Sequence, residues 1–338
     1  MIGVVSDPLF MNHDTGSYHP ESPLRIQFIH TLFARKDPEI LLVDPVRATP
    51  QDILLNHEQY YIDHIQRSCS SEKHTDLDPD TVCSADSWSV ALYAAGSLVR
   101  LVQMAVSGEI DGGFASVRPP GHHATADEAM GFCIFNNVAI AARKAIGSFG
   151  VEKVLIVDFD VHHGNGTQES FYAAKEVLYF STHQYPFYPG TGRLSETGAP
   201  GAEGSTVNCP LGGGKTDGQY GALYHRVLIP IIETFRPGLI LVSAGFDSHA
   251  MDPIGGMQLS TEGFASLAGI IRDSAKSVNA PVVYALEGGY NFEALRDSVK
   301  AVIDVMKGGK VPVIEEKPLP ELDEIIRTHA RYWPLQHH

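Results

Sequence analysis

The 338-residue sequence predicts an α/β fold in which a central, mainly parallel β-sheet is flanked by helices. Two observations carry this. Short apolar runs at 114–117, 154–157, 177–180, 239–242 and 282–286 alternate with stretches of helical periodicity, the pattern of successive βαβ units. Within the clearest run, Val154-Leu155-Ile156-Val157, every position is apolar, as expected of a strand covered on both faces.

Taken in order, 2–5 predicts a short first strand. The turn-rich segment MNHDTGSYHPESPLR follows, and its Ser22 and Pro23 suit a helix start. Leu24, Phe28, Ile29, Leu32 and Phe33 recur at helical spacing, so this helix is expected to pack on the core. A strand is expected at 41–43 and an amphipathic helix at 57–65, with His57 and His64 read as packing or surface residues. A loop at 77–81 precedes a helix of small residues at 87–106, and further helices are expected at 134–147, 217–235, 261–278 and 291–306. The Pro- and Lys-rich stretch 310–320 leads to a last peripheral helix. With no internal repeat, low-complexity tract or linker, 1–338 reads as one catalytic domain.

Composition narrows the function. A formal net charge of -15 argues against a nucleic-acid-binding surface. Cys69, Cys83, Cys133 and Cys209 form no CxxC pair, which argues against a disulfide framework and a thiolate zinc site. The N-terminus lacks a basic segment followed by an apolar core, and no uncharged apolar run has membrane-spanning length. A soluble, cytoplasmic protein with no membrane partner is expected. The terminal His337 and His338 are set aside.

Four apolar runs end in unusual polar chemistry. Run 114–117 leads into Arg118-Pro-Pro-Gly-His122-His123, and 154–157 leads into Asp158, Asp160 and His162. Run 239–242 leads into Ser243-Ala-Gly-Phe-Asp247, and 282–286 into Glu287-Gly-Gly-Tyr290. In open α/β sheets the ligand crevice lies beyond the carboxyl ends of the strands, so four loaded ends point to one site. If the chain stays extended past Asp158, Asp160 and His162 face the same way. With Asp247 they form a candidate metal triad that leaves a coordination position open, suited to Zn²⁺ or a similar divalent ion. Gly164, Gly166, Gly245, Gly288 and Gly289 fit tight turns and close backbone approach. The chemistry suggested is hydrolysis: a metal-activated water, a histidine moving its proton, and Tyr290 donating to the growing oxyanion. GGGKT at 212–216 is dismissed as a phosphate loop, because Cys209 stands where the first glycine belongs. His183 and His249 are read as supporting or packing residues.

The motifs VRPPGHHA, GFCIFNN, DFDVHHGNGTQ, SAGFDSHAMDP and LEGGYN, in order from about His13 to Tyr290, resemble the zinc-dependent histone deacetylase family. That superfamily includes bacterial histone-deacetylase-like amidohydrolases and acetylpolyamine amidohydrolases. The resemblance implies an arginase/deacetylase-like three-layer fold and hydrolysis of an acylamide to acetate and an amine. It implies zinc ligands at Asp160, His162 and Asp247, a general base and acid at His123, and an electrostatic partner at His122. Tyr290 matches the carbonyl-polarising tyrosine. Asp158 matches the residue that pairs with His122 and, with Ser181, helps hold a structural K⁺. Gly131, Phe132 and Tyr188 match the walls of an acyl-lysine channel. Asn165 stands where class I members carry an aspartate facing the second histidine, which looks class II-like and should leave the His123 imidazolium less stabilised. Ile254 stands where polyamine-specific members can carry a glutamate, so an acetylated lysine peptide or small acylamide is the expected partner. Asp78 or Asp80 is a candidate rim counter-charge. An acetylpolyamine deacetylase is the nearest alternative; a manganese ureohydrolase of the arginase type and a non-catalytic acyl-ligand binder stand behind it. Self-association is left open.

Overall fold

Eight parallel strands form the sheet on which the candidate site is built. The computed structural model describes residues 1–71 and 73–336; His337 and His338 lie outside the described residues. The strands are β1 (Ile2–Ser6), β2 (Ile40–Leu42), the small hairpin β3 (Thr75–Asp76) and β4 (Val82–Cys83), β5 (Gly112–Ser116), β6 (Val154–Asp158), β7 (Val177–Gln184), β8 (Thr206–Leu211), β9 (Leu239–Ala244) and β10 (Val282–Leu286). The helices are α1 (Leu24–His30), α2 (Pro50–Ile53), α3 (Gln59–Ser68), α4 (Ser87–Val106), α5 (Asn137–Ser148), α6 (Asn165–Phe171), α7 (Asp217–Leu223), α8 (Ile229–Phe235), α9 (Thr261–Val278), α10 (Phe292–Met306) and α11 (Leu322–His329).

The sheet order is β2-β1-β5-β10-β9-β6-β7-β8. The last two strands in sequence slot between β5 and β6, so the four loaded strand ends belong to four contiguous central strands. Every residue of β5, β6, β9 and β10 is buried, as the unbroken apolar runs required. Side-chain caps set the helix starts: Asn136 accepts from the Ala139 N–H, Ser260 from Gly263 and Asn291 from Ala294. The Asn291 cap leaves Tyr290 in the turn just before α10.

Several expectations need correction. The helix at 217–235 is broken into α7, a wide π turn at Tyr224–Leu228, and α8. Pro230 cannot donate to the preceding turn, and the wide turn absorbs that missing bond. Strand β8 was missed because Asn208 and Pro210 interrupt its apolar pattern. It is one of the two edge strands, where proline is tolerated. In α1 the buried face is Arg25, Ile26 and Ile29, while Leu24 is 44% exposed. Helix α4 is long and apolar enough to cross a membrane, but 67% of that window is buried in the fold, against α5 and β5.

A buried charge network ties the N-terminal segment to the site. Arg118 donates from Nε to Glu21 Oε1 (2.5 Å) and from Nη2 to Glu21 Oε2 (2.7 Å), and Arg25 donates to Glu21 Oε1 (2.8 Å). Arg25 also donates to the carbonyls of Gly289 (2.7 Å) and Glu287. Burial alone pushes the Glu21 carboxyl up; the charges and hydrogen bonds of Arg118, then Arg25, override it and hold it at about 2. Because the folded value lies below the unfolded one, the stabilisation is present above about pH 4.5 and is lost as pH falls toward 2. Glu21→Gln is expected to destabilise the protein by about 3–5 kcal/mol at pH 7, by leaving two buried guanidiniums uncompensated. Urea unfolding at pH 7 and pH 3 checks this: the loss should shrink at the lower pH.

Candidate active site

The metal-binding donors are aimed by turns and not by strand alternation. Strand β6 ends at Asp158. Asp158 Oδ1 then accepts from the Asp160 N–H (3.2 Å), and Asp160 Oδ1 accepts from the His162 N–H (2.9 Å). These two successive side-chain-to-backbone turns fold both residues back over the strand end. From the end of β9, Asp247 Oδ1 accepts from the Val161 N–H (2.8 Å), and from the end of β10 the Gly288 N–H donates to Asp160 Oδ2 (2.8 Å). A Cβ at Gly245 would collide with the Asp160 carboxylate, and one at Gly288 with that of Asp247, so both positions require the backbone approach only glycine allows.

One donor atom from each of Asp160, His162 and Asp247 lies within 4.8 Å of the others, and all three residues are buried. His162 Nδ1 is 3.0 Å from Asp160 Oδ1 and 3.2 Å from Asp247 Oδ2. Asp247 Oδ2 is buried, and beyond that His162 contact it accepts no hydrogen bond among the described residues. Burial pulls the His162 imidazolium down, yet hydrogen bonds to Asp160 and Asp247 and their charges raise it to about 10. Two buried carboxylates converging on one imidazole nitrogen leave an excess of negative charge that is costly unless a cation joins them. The oxygen–nitrogen donor set fits Zn²⁺.

The tandem histidines stand beside this cluster in different charge states. His122 Nδ1 lies 3.1 Å from Asp158 Oδ2 and its Nε2 3.9 Å from Asp160 Oδ2. Burial lowers its pKa, but Asp160, Asp158 and Glu287 outweigh that and raise it to about 10, so this ring stays protonated. His123, 4.0 Å away between ring centroids, is pushed well below the usual histidine range by burial and then by the charges of His122 and His162. Its Nδ1 is 2.8 Å from Asn165 Oδ1. Asn165 Nδ2 donates to the His123 carbonyl and to Met130 Sδ (both 3.3 Å), which fixes the amide orientation. Asn165 Oδ1 must therefore accept, placing the proton of neutral His123 on Nδ1 and a free lone pair on Nε2.

Aromatic rings crowd the same place. Tyr188, 37% exposed, stands edge-on to His123 (5.2 Å) and His162 (6.0 Å). Phe132 packs edge-on to Tyr290 (5.9 Å), whose ring lies under the Arg25 guanidinium at 5.1 Å. Gly131 and Phe132 both adopt left-handed backbone, at φ 56° and 69°. The bend is held by Gly131 N–H donating to Asp80 Oδ1 (2.9 Å) and Phe132 N–H donating to Thr81 Oγ1 (3.0 Å). A Cβ at Gly131 would strike the His123 ring. Ile254 lies in the loop gathered by Asp252, which accepts from Ile254 N–H (2.9 Å) and Tyr290 N–H (2.7 Å).

Ser181 pairs with Asp158 across β6 and β7, and its Oγ lies 2.9 Å from His183 Nδ1. His183 and His249 stand outside the Asp–His–Asp cluster. Lys215 of the GGGKT segment is in an ion pair with Glu321 (2.8 Å). A cavity of about 540 Å³ between the end of α1, β2 and α10 holds none of the expected site residues. Sequence reasoning assigned no role to Phe187, stacked on His162 at 5.2 Å, or to Asp252 and Glu287. Phe187 adjoins Tyr188 in an aromatic run, and Glu287 sits inside the LEGGYN motif, so both carried some signal.

Fold and site together define an α/β protein with a buried, metal-competent Asp–His–Asp cluster and a histidine pair at the carboxyl ends of its central strands. The chain belongs to the histone deacetylase family: the histone deacetylase domain matches residues 19–306. It is 41% identical over 263 residues to the chloroplastic histone deacetylase 10 of Oryza sativa subsp. japonica, covering 75% of this chain and 59% of that one. A probable deacetylase of Archaeoglobus fulgidus is 34% identical over 355 residues, covering 98% of both. The crystal structure of the HDA15 HD domain superposes with a TM-score of 0.91 at 34% identity, covering 98% of this chain and 97% of that one. The chain thus spans about three-fifths of the rice protein and nearly all of the archaeal one.

Proposed function

We propose that the chain is a zinc-dependent amidohydrolase that removes the acyl group from an acetylated lysine side chain or a similar small acylamide. The observation that carries this reading is the buried Asp160–His162–Asp247 cluster, whose donor atoms lie within 4.8 Å of one another, beside a neutral His123. When bound there, zinc supplies Lewis-acid polarisation of the acyl carbonyl and a water of lowered pKa. His123 Nε2 would accept a proton from the attacking water and return it to the departing amine, while Asn165 holds the ring by Nδ1. His122 remains protonated between Asp158 and Asp160 and offsets the negative charge of the site. Tyr290, kept protonated by burial, donates to the acyl oxygen as charge grows on it. Phe132 and Tyr188 flank the alkyl stem, with Gly131 leaving room at His123. A structural K⁺ at Asp158 and Ser181 belongs to the same reading, supported by the pairing of those residues at adjacent strand ends.

Acetylpolyamines are the second reading. Ile254 is apolar, so a second ammonium beside it would lack the counter-charge a glutamate there would supply, whereas Asp80, which accepts from the Gly131 N–H and the Thr81 hydroxyl, keeps its charge. Turnover of an acetyl-lysine peptide beside acetylputrescine and acetylspermidine, with metal analysis of the same sample, tests both. The peptide is expected to be preferred and zinc to be required. Polyamine preference reverses the substrate order, and no turnover of any acylamide by zinc-loaded protein overturns the activity.

A further inference from the structure

The loop that carries the tandem histidines leaves β5 and has no strand to hold it. Two of its backbone donors, the N–H groups of Gly121 and His122, converge on one oxygen: Glu287 Oε2, at 2.7 Å and 3.1 Å. The Ser243 hydroxyl, at the end of β9, donates to the other oxygen at 3.4 Å. Glu287 itself is fully buried, just past the end of β10, and its own N–H donates to the Ala244 carbonyl (3.0 Å). One side chain therefore joins the ends of three adjacent strands, β5, β10 and β9, directly behind the histidine pair. Burying a carboxyl is costly, and the hydrogen bonds it accepts here from Gly121, His122 and Ser243 offset that cost.

We infer that Glu287 is a positioning residue, whose carboxylate grips the Gly121 and His122 amides and sets the placement of both imidazoles against the metal cluster. The inference rests on the proposed amidohydrolase reading for its catalytic consequence, but not for its geometry. His122 reaches Asp158 and Asp160 from a backbone whose N–H is held by Glu287 and whose carbonyl is held by the Thr167 N–H (3.1 Å), and His123 follows as the next residue in the chain. Displacing a reacting group by about 1 Å costs on the order of 100-fold in rate.

Three variants of the zinc-loaded protein separate positioning from mere packing. Glu287→Leu removes the acceptors, and kcat is expected to fall about 100-fold with KM little changed. Glu287→Asp keeps the charge but withdraws the oxygens by one methylene, so it is expected to behave like the leucine variant and serves if that one does not fold. Glu287→Gln retains an oxygen for both amides and an NH₂ for Ser243, and is expected to restore most of kcat. In ¹⁵N-histidine-labelled protein, the His122 Nδ1–H proton should be protected from exchange in wild type and Glu287→Gln and lost in the other two. Wild-type kcat and an unchanged His122 signal in Glu287→Asp overturn the inference, as does a glutamine variant damaged as badly as the aspartate. If the wild type turns over no acylamide, the amidohydrolase reading fails, while the His122 exchange signal still decides the role of Glu287.

Discussion

Replacing His123 with alanine is expected to lower kcat by about 10²–10⁴-fold while leaving KM and zinc content near wild type. The side chain is buried, stands outside the Asp160–His162–Asp247 cluster, and is tied by Nδ1 to Asn165, so its removal takes away a proton carrier and not a ligand. Its neighbour cannot substitute: His122 is held protonated by Asp160 and Asp158 and has no lone pair to offer at neutral pH. Steady-state kinetics with metal analysis on the same preparation provides the check. Turnover retained in His123→Ala would mean that another group moves the proton.

The second large effect changes sign with the metal. Asp247→Asn is expected to weaken zinc binding by at least about 100-fold, since changing even an outer partner of a ligand costs about 10–100-fold. In the zinc-loaded state the variant should therefore melt below wild type, because wild type alone gains the full stabilisation from binding. Without metal the order should reverse. Burial and then the adjacent Asp160 charge raise the Asp247 carboxyl to about 7. A carboxyl whose folded value lies above its unfolded one loses stability as pH rises toward that folded value, so the penalty is fully present above pH 7. Asparagine removes it. Thermal melts at pH 8 with zinc and with chelator give the four values needed. A metal-free variant that melts below metal-free wild type would show that the cluster is not under charge strain.

How much of this was legible in the sequence depends on the range of the interaction. Strands β5, β6, β9 and β10 were readable because burial on both faces leaves an apolar run in adjacent residues. The caps at Asn136, Ser260 and Asn291 and the glycines at Gly245 and Gly288 are likewise local or nearly so. Strand β8 was hidden because an edge strand is not required to be apolar throughout. The aim of Asp160 and His162 was expected for the wrong reason: extended backbone predicts convergence, but the structure achieves it by turns in which each aspartate captures the N–H two residues on.

The amino-acid sequence alone determined which segments carry the chemistry and that each follows a buried strand, because propensity, apolar periodicity and turn formation act over a few residues. Only the tertiary structure decided that β10 and β9 insert between β5 and β6, bringing Gly121 and Glu287, 166 residues apart, into hydrogen-bond contact. It also decided that Asp247 meets the Val161 N–H through one oxygen and His162 through the other. Strand order and the satisfaction of buried polar atoms are settled by packing among distant parts of the chain, and no local pattern encodes them.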